Sequence, residues 1–398
     1  MKIKSLSLKK IFDSRGEPTI EVCLTDGNGR SFCAQIPSGK SRGSTEVAVF
    51  SPQKAASVLK NVVKKKITGK TFSSLKKLDA ALVSLDKTEN KRRIGGNLAL
   101  GISTAFVKAL AFQKKELVWE VLRDEFFSEE SVDKKPLIFS NLINGGAHAK
   151  NNLSIQEYLV IAKPRGSYAE TTNKLINLYK TLGEVLKRIT GFKGLPLGDE
   201  GGYAVNFKNN FEPVRILEKL IYALKLNGEF NIGLDSAADN FSQKGKYLFE
   251  KKRLNAAALK EIYLSYFKRS SLLYSIEDPF SENDYWAFQE FKDGVPEKLI
   301  VADDLTATNT ALIKKFGDDF ISGVIIKPNQ VGTVSETCEA IKTAKKHKLK
   351  IIISHRSGET EDNFIVHLAK ACGADGVKIG APIKERISKF NELIRIFD

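Results

Sequence analysis

Nowhere in this 398-residue chain does an apolar run approach the roughly 20 residues that cross a bilayer. The opening Met1-Lys2-Ile3-Lys4 is followed by no apolar stretch of the signal-peptide kind. A cytoplasmic protein is therefore expected. Cysteine is scarce: Cys23, Cys33, Cys338 and Cys372 contain no CxxC pair. That excludes zinc sites of the usual spacing, and free thiols in a reducing compartment are expected. Negative charge is also short, with 47 acidic residues against 63 Lys and Arg and a net charge of +16. Short basic runs occur at Lys64-Lys65-Lys66, Lys91-Arg92-Arg93 and Lys345-Lys346, without interleaved aromatics. A solvated surface explains such scatter better than a nucleic-acid stripe, although contact with RNA stays open.

What is present describes a globular chain, 42% hydrophobic and 28% charged. Its length suits one large barrel-type domain with a smaller companion. Residues 2–8, 19–24 and 31–36 have strand-like patterning, with Asp26-Gly27-Asn28-Gly29 as a hairpin turn. From residue 51 to 122 the apolar spacing is helical, broken near Gly69 and Gly95-Gly96. The polar segment Ser128 to Pro136 separates this part from the rest. The expected organisation is a small α+β domain over residues 1–130 and a catalytic domain over residues 131–398.

That second part alternates short apolar runs with helical stretches. The runs are 137–143, 154–162, 232–235, 273–277, 299–303, 323–327, 350–354 and 376–379. Such alternation predicts parallel strands, and about eight of them predict a closed β/α barrel of the TIM type, an α/β fold. Several runs end on a chargeable or polar residue: Asp235, Glu277, Asp303, Lys327 and His355. In a parallel barrel those ends converge on one face, where active sites form. A single buried charge at a strand end can be structural; a succession of them points to a site.

Asp235, Glu277 and Asp303 offer hard oxygen ligands from three strands, a donor set suited to Mg²⁺. Each of them alone could instead pair with a neighbouring Lys or Arg. Lys327 lies where a base could face such a metal, provided that adjacent cations lower its pKa. The enolate left by proton abstraction beside a carboxylate carries charge that metal ions can hold. Gly198-Asp199-Glu200-Gly201-Gly202 is an acidic turn whose glycines allow close backbone approach, and Glu200 there could protonate a leaving hydroxyl. His355-Arg356-Ser357 after a strand suits a phosphate, with Arg as a bidentate donor, or else a capped helix start. Lys378, at another strand end, could neutralise a substrate carboxylate.

These residues sit in motifs with a family resemblance. The chain resembles enolases from Phe12-Asp13-Ser14-Arg15-Gly16-Glu17-Pro18-Thr19 to Asn391. The most specific matches are Asn144-Gly145-Gly146-Ala147-His148, Gln156-Glu157, the Gly198–Gly202 turn and Ser275-Ile276-Glu277-Asp278-Pro279-Phe280. Others are Asp303-Asp304-Leu305-Thr306, Lys327-Pro328-Asn329-Gln330 and Ser354–Asp362. Sites of the wider enolase superfamily pair a Lys or His base with one or two Mg²⁺ ions as a general pattern.

The resemblance implies a phosphopyruvate hydratase, a carbon–oxygen lyase of glycolysis and gluconeogenesis that interconverts 2-phosphoglycerate and phosphoenolpyruvate with two Mg²⁺ per site. It implies that Asp235, Glu277 and Asp303 hold the first ion, while Ser41 in the loop Ser38-Gly39-Lys40-Ser41-Arg42-Gly43 reaches the second. Lys327 would take the proton from carbon 2. Glu200, with Glu157 beside it, would assist loss of hydroxide from carbon 3. Lys378 would sit against the substrate carboxylate, Arg356 and Ser357 would bind phosphate, and His148, His355 and Gln156 would complete the pocket. A homodimer or higher homo-oligomer is implied as well. The chain departs from the usual Ser-Gly-Ala-Ser-Thr-Gly loop at Lys40 and Arg42, and from Gly and Thr elsewhere at Ala302 and Ile379. Competing readings are another superfamily enzyme, such as a racemase or acid-sugar dehydratase, and a non-catalytic scaffold.

Overall fold

The strands of the first third form one antiparallel sheet, in the order β1 (Ile3–Phe12), β2 (Pro18–Asp26), β3 (Ser31–Ile36). We describe this computed structural model over residues 1–40, 45–129 and 134–398. Ile20, Val22 and Leu24 alternate along β2 and are fully buried, each contributing about 1.5–3 kcal/mol of apolar burial. They pack against helix Gly96–Lys114, whose residues are buried almost all round. Helices Leu75–Ser84 and Val118–Phe126 complete this small unit.

The cysteine expectation needs correction. Cys23 on β2 and Cys33 on β3 are register partners, with Cα atoms 4.1 Å apart, and they form a disulfide. Cys338 and Cys372, both buried, stand outside this disulfide. A search for CxxC spacing misses such a pair, because a hairpin brings residues ten apart in sequence directly opposite each other.

The eight apolar runs of the second part all form barrel strands. These are β4 (Leu137–Asn144), β5 (Glu157–Ala162), β6 (Phe230–Asp235), β10 (Leu273–Glu277), β11 (Leu299–Ala302), β12 (Gly323–Ile326), β13 (Lys350–Ser354) and β14 (Gly376–Ile379), closed in a ring. A small meander, β7 (Ser242–Gln243), β8 (Lys246–Phe249) and β9 (Lys252–Leu254), follows β6. The strands were expected to be parallel throughout, but β5 runs antiparallel to both β4 and β6. Residues 145–156 between β4 and β5 contain a single turn of 3₁₀ helix and no crossover helix, so the chain doubles back. Inward-facing Phe139, Leu159, Ile161, Leu299, Val301, Ile325 and Ile352 form their own apolar cluster, as alternation around a closed barrel requires. No helix among the described residues is long and apolar enough to cross a membrane.

The two units meet at the exits of β12 and β13. Ser38 and Gly358 exchange backbone hydrogen bonds of 2.8 and 2.9 Å, the Val47 N–H donates to the Gln330 carbonyl, and Asn329 Nδ2 donates to the Pro37 carbonyl.

Candidate active site

Register places the acidic strand ends side by side. Glu157 on β5 pairs with Asp235 on β6, which pairs with Glu277 on β10. Lys378 reaches this row from β14: its Nζ lies 3.2 Å from Glu157, 3.0 Å from Asp235 and 2.7 Å from Glu277. All four side chains are buried. Burial would lower the Lys378 pKa, but Asp235, Glu157 and Glu277 outweigh it and hold the ammonium well above its ordinary range. Burial and the Asp235 charge push Glu277 well above the usual carboxylate range.

Asp303 follows β11, and the Asp278 carboxylate fixes its backbone by accepting the N–H groups of Asp303 (3.0 Å) and Asp304 (2.8 Å). Asp278, Asp303 and Asp304 bring carboxylate oxygens within 4.8 Å of one another. Burial and the Asp303 charge raise Asp304 to about 7. Asp303 also pairs with Lys327, which follows β12. Burial pulls Lys327 down, but the Asp303 carboxylate overcomes it, so the Lys327 pKa lies above the ordinary lysine value. The lowering expected from sequence depends on adjacent cations; among the protein's own groups the dominant charged neighbour is the Asp303 anion.

The turn at Gly198–Gly202 is seated from below by helix Tyr168–Thr190. Ser167 caps that helix by accepting the Glu170 N–H at 3.0 Å, and Gly191 ends it at φ 72°. Leu175, Leu178, Leu182 and Leu186 recur on its buried face. From the same helix the Tyr179 hydroxyl donates to the Gly201 carbonyl at 2.7 Å, and its ring stacks on Tyr203. Gly198 is required by space, since a Cβ there would lie 2.5 Å from the Asn144 side chain. Asn144 Oδ1 in turn accepts the Gly202 N–H at 3.1 Å.

Glu200 is thereby held beside Glu157 and His148, the three offering atoms within 4.8 Å of one another. Asn141 Nδ2 donates to Glu200 at 3.0 Å, and His355 Nε2 lies 3.5 Å away. The two carboxyls are driven apart. Burial raises Glu200, but His355 and His148 reverse this and hold it well below its ordinary value. Burial and the Glu200 charge raise Glu157 to about 7. Glu157 is thus the carboxyl that retains a proton near neutrality. Burial lowers His148, yet Glu200 and Glu157 raise it overall; burial dominates at His355, which is lowered.

Arg356 and Ser357 follow β13. Arg356 spreads its guanidinium over Glu46 from the small unit, at 3.2 Å to each oxygen, and over Asn329 Oδ1 at 2.9 Å. Ser357 Oγ accepts from Arg15 Nη1 (3.3 Å) and from the Lys40 N–H (3.0 Å). Gln156 is fixed by donating its N–H to the Asp235 carbonyl and by accepting the Asn240 amide at its side chain.

Many of these groups line a single cleft. Of the residues anticipated from sequence, His148, Gln156, Glu157, Glu200, Asp235, Asp303, Lys327, His355, Arg356, Ser357 and Lys378 border it. Glu277 communicates with it through Lys378. Ser41 and Arg42 lie outside the described residues. Lys378, expected against a substrate carboxylate, contacts the acidic row from inside the cleft. The sequence reading missed Glu46, Asn141, Asp278, Asp304 and Arg386, the last of which donates from Nη2 to the Ser357 carbonyl at 3.0 Å. Asp278 and Asp304 adjoin motif acids and could have been suspected, whereas Glu46 and Arg386 carried no local signal.

The residues fit a hard cation. The donors are carboxylate oxygens only, and Glu277 Oε1 is buried with no hydrogen-bond partner. An ammonium alone therefore leaves this acidic row incompletely satisfied.

A closed barrel with buried carboxylates and lysines at its strand ends, completed by a small α+β unit that contributes to the cleft wall, defines a barrel enzyme built for charge-stabilised chemistry. Residues 3–122 match the family description "Enolase, N-terminal domain" and residues 134–398 match "Enolase, C-terminal TIM barrel domain". Similar proteins are an enolase of Ureaplasma parvum, 35% identical across 100% of this chain and 96% of its own length, and an enolase of Neorickettsia sennetsu, 36% identical across 99% and 98%. An enolase of Saccharolobus solfataricus is 34% identical across 99% of this chain and 94% of its own length. The chain belongs to the enolase family, metal-dependent lyases.

Proposed function

We propose that this enzyme interconverts 2-phosphoglycerate and phosphoenolpyruvate, acting in glycolysis and gluconeogenesis with two Mg²⁺ per site. The observation that carries this reading is one cleft bordered by a lysine base candidate, a protonatable carboxyl pair and an Arg-Ser anion site. Asp235, Glu277 and Asp303 would hold the first ion, and Ser41 would contribute to the second. Bound Mg²⁺ supplies positive charge against the enolate that forms on the substrate carboxylate.

The chain's own groups divide the remaining work. Arg356 and Ser357 hold the phosphate and orient the substrate, with Arg356 preset by Glu46 and Asn329. Lys327 Nζ takes the proton from carbon 2. A cation held by Asp303 would offset the upward pull of that carboxylate on the lysine pKa. On the opposite side the Glu157–His148–Glu200 group delivers the proton that leaves with the carbon 3 hydroxyl. Glu157 stores that proton at neutral pH, and Glu200 receives it from Glu157 and passes it to the leaving hydroxyl. His355 and Lys378 fix charge around this group.

We further place the boundary between units at residues 130/131, the protein in the cytoplasm, and a homodimer or larger homo-oligomer as its working form. Absorbance of the enol acid product, measured with 2-phosphoglycerate with and without Mg²⁺, tests the activity. No turnover at saturating substrate and metal rejects it.

A further inference from the structure

Lys40 stands where the family loop usually carries Ala, and it spans two walls of the cleft. Its backbone N–H donates to Ser357 Oγ at 3.0 Å, and its ammonium lies 2.9 Å from Asp199 Oδ2. Ser357 belongs to the anion-binding wall, and Asp199 immediately precedes Glu200. One side chain of the small unit thus ties that wall to the turn bearing the proton-donating carboxyl.

Both ends of this span are anchored. On the near side Ser38 is bonded in both directions to Gly358, and its hydroxyl donates to Asp13 at 2.7 Å. On the far side the Asp199 N–H donates to the His148 carbonyl, and Arg386 Nη2 donates to the Asp199 carbonyl at 3.3 Å. The side chains of Lys40 and Asp199 are 47% and 24% exposed. An ion pair this accessible adds little to global stability. Its consequence is geometric, since misplacing a reacting group by about 1 Å can cost up to about 100-fold in rate.

We propose that the Lys40–Asp199 pair is a clasp that sets the register of the Gly198–Gly202 turn, and so of Glu200, against the anion-binding wall. Lys40 is then a positioning residue, not a ligand of the substrate. The proposal rests on the 2-phosphoglycerate reading for its kinetic consequences, though not for its structural ones.

The test uses the full-length enzyme and four variants: Lys40→Met, Asp199→Asn, Lys40→Arg, and Lys40→Glu combined with Asp199→Lys. Two readouts are taken: kcat and KM for 2-phosphoglycerate, and amide exchange of the peptide 197–203 without substrate. That peptide contains the Gly201 N–H bonded to the Gly198 carbonyl and the Gly202 N–H bonded to Asn144. Lys40→Met and Asp199→Asn should each lower kcat about fivefold and accelerate exchange about fivefold, the size expected when a half-exposed pair of this kind is lost. Lys40→Arg and the charge-swapped double variant should return both values to within about twofold of wild type. The proposal is overturned if Asp199→Asn lowers KM with kcat unchanged, for then Asp199 was only withholding Lys40 from the substrate phosphate. It is equally overturned if the double variant recovers neither readout, or if exchange is the same in all variants. Absence of turnover in the wild type would reject the substrate reading alone, and the exchange measurement would still decide the clasp.

Discussion

The Lys378 ammonium lies 2.7 Å from the Glu277 carboxylate, deep at the strand ends of the barrel, and with Glu277 it forms the buried centre of a row otherwise made of anions. Removing one partner of such a buried pair costs about 3–5 kcal/mol, because the other charge stays behind uncompensated. Lys378→Met should therefore destabilise the metal-free protein by about that amount. Mg²⁺ should recover part of the loss. Denaturant unfolding with EDTA and with Mg²⁺ checks this, and equal stability of wild type and variant in EDTA would contradict it.

Metal removal gives a second expectation. A ligand that binds only the folded state stabilises it by about 2.7 kcal/mol at a hundredfold excess over its Kd. EDTA should abolish turnover and lower the melting temperature. Asp303→Asn should weaken Mg²⁺ binding by at least about tenfold while leaving the metal-free melting temperature less affected. Full activity in metal-free buffer would remove the carboxylates from the metal assignment.

Proton transfer should divide between the two sides of the cleft. Lys327→Ala should lose turnover and also exchange of the carbon 2 proton with solvent, each by more than about 100-fold. Glu200→Gln and Glu157→Gln should lose turnover comparably yet keep measurable exchange, because their step follows proton abstraction. Isotope exchange followed by NMR distinguishes the outcomes; equal loss of exchange in all three variants would falsify the division.

Asp79 makes stability depend on pH far from the cleft. Burial lifts its carboxyl from 3.8 to about 6, even though Ser335 and Ser103 hydrogen-bond to it. The folded pKa lies above the unfolded one, so the folded state binds the proton more tightly. Stability should therefore rise as pH falls through 6 towards 3.8 and be lower, by about 3 kcal/mol from this group, once pH exceeds 6. Asp79→Asn should raise the melting temperature at pH 8 and flatten the difference between pH 8 and pH 5. Identical pH slopes in the two proteins would show that Asp79 does not titrate as placed.

The Cys23–Cys33 bond predicts a thiol count. Denatured but unreduced protein should expose the two thiols of Cys338 and Cys372, and reduction should bring the count to four. Four reactive thiols before reduction would restore the expectation drawn from the sequence.

Much of this molecule is legible in one dimension. The eight barrel strands show as runs of β-branched and other apolar residues because strands covered on both faces need no polar alternation. Asp235, Glu277, Asp303 and Lys327 were identifiable because a barrel turns strand ends into a shared rim, so their place in the sequence already implied their meeting. Those features follow from local pattern and simple topology. Other features depend on which distant groups become neighbours. The antiparallel course of β5, the Cys23–Cys33 pair and the pairing of Arg356 with Glu46 join segments whose approach no local pattern states. The upward shift of Lys327 and the split between Glu157 and Glu200 have the same origin. A pKa is set by the nearest charges in a poorly screened interior, so only the folded arrangement decides whether Asp303 or a cation faces Lys327, and which of two identical carboxyls keeps its proton.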